Sequence, residues 1–135
     1  MKTVFYLIIM IPFLSCTSID KSIEGKWMIK NIEITSFSLP EGCEKISVGD
    51  KLNFDNGNME ILTDGYKCST FKYILRDQNL ELLISDMSIS MKVISLNSNE
   101  LKIRSKSLPK EMMINWKEEY LKYIQEGFLI TLKRR

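Results

Sequence analysis

Apolar and polar residues follow three different rhythms along this chain. Val4 to Leu14 is an almost unbroken apolar run, the stretch from Gly25 onward alternates with a period of two, and Lys110 to Glu126 repeats every three to four residues. The period-two region carries most of the length. In it, short segments rich in β-branched and aromatic residues are separated by Asn, Asp and Gly at intervals of about ten residues, the rhythm of an antiparallel meander.

Eight such segments follow one another. The first, Gly25 to Ser36, holds Trp27 and Ile29 on one phase and Ile32 and Ile34 on the other, so a bulge or bend near Lys30 and Asn31 is needed to bring both pairs to one face. A long loop from Phe37 to Gly49, containing Pro40, Gly42 and Cys43, leads to Lys51–Asp55 with Leu52 and Phe54 inward. Asp55, Asn56 and Gly57 then give the strongest hairpin signal in the chain, leading into Asn58–Thr63 with Met59 and Ile61 inward. Asp64 and Gly65 turn the chain into Lys67–Leu75, where Phe71, Tyr73 and Leu75 alternate with Thr70, Lys72 and Ile74. Arg76 to Asn79 turns it back. Leu80, Leu82 and Ile84 share a face, as do Met87, Ile89, Met91 and Val93, and after Asn97 to Asn99 so do Leu101 and Ile103. Phe128 to Lys133 supplies the last strand, with Phe128, Ile130 and Leu132 on one phase, placed to close the sheet against the first.

The exception lies before that last strand. From Lys110 to Glu126, Met112, Met113, Ile114, Trp116, Tyr120, Leu121, Tyr123 and Ile124 fall on one side at 100° per residue, and Glu111, Asn115, Glu118, Glu119, Lys122 and Glu126 on the other. This predicts an amphipathic helix with Ser107 as N-cap, Pro109 in the first turn, a Glu118–Lys122 pair and Gly127 as the C-terminal αL residue. Trp116, Tyr120 and Tyr123 pack the helix on the sheet or, as a lid, touch a ligand or partner.

The apolar run near the start changes the picture of where the protein acts. Eleven residues of helix rise about 16 Å, roughly half a bilayer's hydrocarbon core, so Val4 to Leu14 behind Met1 and Lys2 is a signal segment and not a membrane span. Leu14, Ser15 and Cys16 resemble the lipobox of bacterial lipoproteins, in which the cysteine becomes the acylated first residue. The expected organisation is a signal peptide over residues 1–15, a polar tether over 16–22 and one domain over 23–135. Lipidation of Cys16 leaves Cys43 and Cys68, an even pair suited to one disulfide in an oxidising compartment, the alternative being two buried thiols. Closing that loop of about 26 residues stabilises a fold by roughly 3 to 4 kcal/mol in the chain-entropy model.

Composition narrows the function. The sequence has 19 basic and 17 acidic residues, a formal charge of +2, and its basic cluster, Lys133, Arg134 and Arg135, reads as a solvated chain end, so no nucleic-acid partner is expected. Histidine is absent, which removes the commonest general base and metal ligand. Ser69 and Lys72 have Ser-x-x-Lys spacing but sit on a predicted strand with opposite facing. The residues from Asp55 to Glu60 suggest a calcium loop, yet the glycine is misplaced for one and a hairpin explains them. The expectation is no enzyme activity, no metal and no cofactor.

With the tether, then Gly25, Lys26 and Trp27 opening the first strand and some seven hairpin-linked strands after it, the chain resembles the lipocalin-like domains of bacterial lipoproteins. It differs in placing its helix before the last strand. The resemblance implies a mainly β fold: an up-and-down antiparallel barrel of about eight strands, here with one amphipathic helix. It implies a lipid-anchored binding protein of the cell envelope, held in the outer membrane on its periplasmic or outer face. Two functions follow from it. One is a small apolar ligand held by Trp27, Phe54, Phe71, Tyr73 and Met91, with Trp116 and Tyr120 at the mouth; the other is a protein or glycan interaction module, an inhibitor or accessory subunit, built on a filled barrel.

Overall fold

A computed structural model describes residues 23–33, 46–84, 86–106, 118 and 125–135. Its strands are β1 (Gly25–Ile32), β2 (Lys51–Asp55), β3 (Asn58–Thr63), β4 (Tyr66–Arg76), β5 (Asn79–Ile84), β6 (Met87–Leu96), β7 (Glu100–Ser105) and β8 (Leu129–Arg134). Each pairs antiparallel with the next, and β8 returns to β1, so the sheet closes into an eight-stranded barrel.

The hairpins form where the turn residues demand them. Asn56 adopts φ +47 between Asp55 and Asn58, which pair directly, the left-handed conformation that a two-residue hairpin loop needs. Asp64 does the same at φ +52 between Thr63 and Tyr66. Along β5 the burial alternates strictly, with Leu80, Leu82 and Ile84 inside.

Three irregularities bend the sheet into a ring. On β1, Ile29 pairs with Leu132 and Asn31 with Thr131, so Lys30 is the extra residue. This bulge turns Ile32 inward beside Trp27 and Ile29, and all three are buried. On β4 the extra residue is Cys68, between the pairs Ile61–Ser69 and Leu62–Lys67. On β6 it is Ile94, 46% exposed, and the bulge is what lets Val93 and Leu96, three residues apart, both turn toward the core. A bulge inserts one residue against none and increases local twist, which is how a pleated strand is curved around a barrel.

The amphipathic helix expected over Lys110–Glu126 lies almost wholly outside the described residues, and no α-helix is among the described elements. At its end, Gln125 and Glu126 are helical and Gly127 has φ +77. A Cβ on Gly127 would overlap the carbonyl oxygen of Ser105, while the neighbouring Phe128 amide donates to Ser105 Oγ at 2.9 Å. Only glycine fits there, on grounds of both space and conformation.

Candidate functional site

The topology gives the barrel two unlike ends. One carries the start of β1, the β2–β3, β4–β5 and β6–β7 turns and the end of β8; the other carries the start of β2, the β3–β4 and β5–β6 turns and the Gly127–Phe128 entry to β8.

The first end is sealed. Ile23 and Trp27 are fully buried, and the Trp27 indole Nε1 donates to the Ile23 carbonyl at 2.8 Å, folding the entering chain under the barrel. Arg134, across from Trp27 on β8, lays its guanidinium 4.2 Å from the Trp27 ring centroid. Its Nη1 donates to the Glu24 carbonyl at 2.9 Å and its Nε to the Ser98 carbonyl at 2.8 Å. The rigid guanidinium fork suits this double duty of stacking and bonding. Gly25 is what lets it pass: a Cβ there would stand 2.7 Å from Arg134 Nη1, and φ is +125. The glycine and the tryptophan of the opening motif are thus two members of a single contact. Its third member went unread in the sequence, where Arg134 looked like a solvated tail residue. In the structure β8 extends through Arg134, and the Arg135 amide still donates to the Lys26 carbonyl at 2.9 Å.

Above the seal the barrel is solid. Phe54 and Phe71 are buried, and Tyr73, half-buried, meets Phe54 edge-on with ring centroids 5.2 Å apart. Fully burying side chains of this size stabilises the barrel by roughly 1.5 to 3 kcal/mol each.

Toward the opposite end lies an interior cavity of about 40 Å³, whose described lining includes Met59, Ile61, Met91, Ile103, Phe128 and Ser105. Ser105 is the one polar side chain among the described lining residues. Met91 is therefore the residue of the expected ligand set that borders the cavity; Trp27, Phe54, Phe71 and Tyr73 lie among the packed core instead. Trp116 and Tyr120 lie outside the described residues, as do Cys16 and Cys43. Cys68 is disulfide-bonded, and the described residues hold no other cysteine.

On the outer face, Glu60 of β3 is bound by Lys67 of β4 at 2.9 Å and by Asn53 of β2 at 3.4 Å. The hydrogen bond from Lys67, then that from Asn53, then the Lys67 charge hold its carboxyl below the usual value. Among the described residues no cluster of Cys, Asp and Glu is placed to hold a metal ion.

The model of a lipocalin-like domain matches residues 23–103, more than half of the chain. The chain belongs to the lipocalin-like domain family. Its closed barrel of eight strands, sealed below the Gly25–Trp27 motif, is the lipocalin-like architecture in this sequence. Among solved structures the chain is similar to a lipocalin-like protein from Bacteroides uniformis, with 15% identity and a TM-score of 0.49 over 84% of this chain and 99% of that one. It is also similar to an uncharacterized protein from Bacteroides eggerthii, with 12% identity and a TM-score of 0.45 over 83% of this chain and 98% of that one. No curated protein matches.

Proposed function

We propose that this lipocalin-like protein is a non-enzymatic binding protein of the cell envelope, anchored by a lipid on Cys16, that takes a slender apolar group into the upper half of its barrel. The observation that carries the reading is the apolar cavity beside Met59 and Met91. At about 40 Å³ it is small: an apolar cavity of roughly 150 Å³ accepts benzene. Methionine is unbranched and rotates easily, so Met59 and Met91 are the lining residues best able to make room. The leader and the lipobox-like Leu14, Ser15 and Cys16 support the anchor, and the absence of histidine from the sequence supports a binding role over a catalytic one. Cys43 is the proposed disulfide partner of Cys68, since the anchor takes Cys16; peptide mapping without reductant tests the pairing, and a Cys16–Cys68 bond would end it.

Native mass spectrometry of the protein purified from envelopes, beside a Met91→Trp variant that fills the cavity, tests the ligand reading. The parent carries an apolar adduct and the variant does not. No adduct on the parent, even after incubation with fatty acids, overturns the reading. The filled lower half of the barrel then favours the second one, an interaction module for an envelope protein or glycan.

A further inference from the structure

A groove of about 320 Å³ runs over the outer face of β1, β2 and β3, lined by Lys26, Lys51, Asn53, Glu60, Leu62 and Arg135. Its placement follows from register: Lys26 pairs with Asn53 and Asn53 with Glu60, while Lys51 pairs with Leu62 one step along the barrel. Arg135 joins the row because its amide is bonded to the Lys26 carbonyl. The one acidic side chain in the groove, Glu60, is already answered by Lys67 at 2.9 Å. Lys26, Lys51 and Arg135 have no acidic partner among the described residues. A chain whose formal charge is only +2 thus gathers three unanswered cations in one groove.

The groove also begins beside the chain's entry. Lys26 follows Gly25 at the sealed end, where Ile23 is pinned under the barrel. Six residues, Thr17 to Ser22, separate Ile23 from Cys16, and covalent geometry limits the seven steps between them to about 25 Å. A lipid on Cys16 therefore confines the sealed end, and Lys26 with it, to the neighbourhood of the bilayer within the reach of that tether.

We propose that the groove of Lys26, Lys51 and Arg135 docks on anionic phospholipid headgroups, so that the barrel lies with this flank and its sealed end toward the membrane and its cavity end away from it. The inference rests on the anchoring reading for its geometry. Its test does not use the lipid.

The unlipidated chain from Thr17 to Arg135 keeps every described element, because the barrel closes between Gly25 and Arg134. Its cosedimentation with vesicles of pure phosphatidylcholine and of phosphatidylcholine with phosphatidylglycerol is compared at low salt. Binding is expected only to the anionic vesicles and weakens as salt rises. At about 1 kcal/mol for each basic residue near an anionic surface, Lys26→Gln, Lys51→Gln and Arg135→Gln together lower it by about a hundredfold. The control triple Arg76→Gln, Lys92→Gln and Lys106→Gln changes net charge equally on the other flank and is expected to leave binding within about threefold of the parent. Equal loss from both triples, no binding to anionic vesicles, or competition by millimolar inorganic phosphate as effective as by vesicles overturns the proposal. Labelling of Cys16 by an acyl-chain precursor in cells reports on the anchor separately, so that failure of one claim is distinguishable from failure of the other.

Discussion

Replacing Arg134 by alanine removes one cation stacked on Trp27 and two hydrogen bonds that tie the entering chain and the β6–β7 turn to β8. Stacking of a cation at a solvent-touched site contributes about 1 kcal/mol. The bonds to the Glu24 and Ser98 carbonyls lie on an exposed rim, so each is taken at about 1 kcal/mol, below the range for buried charged groups. The sum is about 3 kcal/mol. For a domain of this size, each kcal/mol moves the melting temperature by about 4 °C, so Arg134→Ala is expected to melt about 12 °C below the parent. Arg134→Lys keeps a charge, but a single ammonium lacks the fork whose Nε and Nη1 bond the two carbonyls separately, and it is expected to lose about half as much. Chemical denaturation followed by circular dichroism measures both. A double-mutant cycle with Trp27→Leu, which removes the aromatic face, isolates the stacking, expected at about 0.5 to 1 kcal/mol. The reasoning is refuted if Arg134→Ala melts within 2 °C of the parent or if the lysine variant matches it.

Gly127→Ala places a methyl group on the Ser105 carbonyl and holds a left-handed backbone against its preference; a loss of about 3 kcal/mol or more is expected by denaturant titration, and a neutral result would show the β7–β8 junction to be looser than described. The Glu60 carboxyl, held below its usual 4.5 chiefly by the Lys67 hydrogen bond, adds stability that is complete above its unfolded-state value and is lost as pH falls through the lowered folded-state value. Melting temperatures across that acid window should therefore fall more steeply for the parent than for Glu60→Gln; parallel curves would remove the Lys67 contact from the account.

The alternation of Leu80, Leu82 and Ile84 and the Asn-Gly turn at Asn56 were legible because strand period and turn chemistry are local properties. So was the bulge at Lys30, since Trp27 and Ile32 sit on opposite phases and cannot both be buried without one. The bulges at Cys68 and Ile94 left no such mark: at Ile94 an exposed isoleucine looks the same in sequence as a buried one. Arg134 was hidden for a different reason. Its partners are the Trp27 ring and the carbonyls of Glu24 and Ser98, and backbone carbonyls leave no trace in residue type. Which large residues plug the barrel and which border the cavity was also illegible, because Phe54 of β2 and Met91 of β6 both face inward and the strand period carries no information on height along the barrel axis.

The way β1 is held has a mechanical meaning. It is bonded along one edge to β2 and along the other to β8, and the chain enters it at the sealed end through Ile23. A force applied through residues before Ile23 enters β1 at that end, and the component that matters here is the one along the strand axis. It loads the two seams in parallel, with the Arg134 bridge to Glu24 beside the point of entry. Such a load must slide β1 past both neighbours at once, whereas a force across the strand would break its hydrogen bonds in succession, like a zip. The Gly25–Trp27–Arg134 contact is thus the mooring point of the domain, set where tension from a tether would enter the barrel.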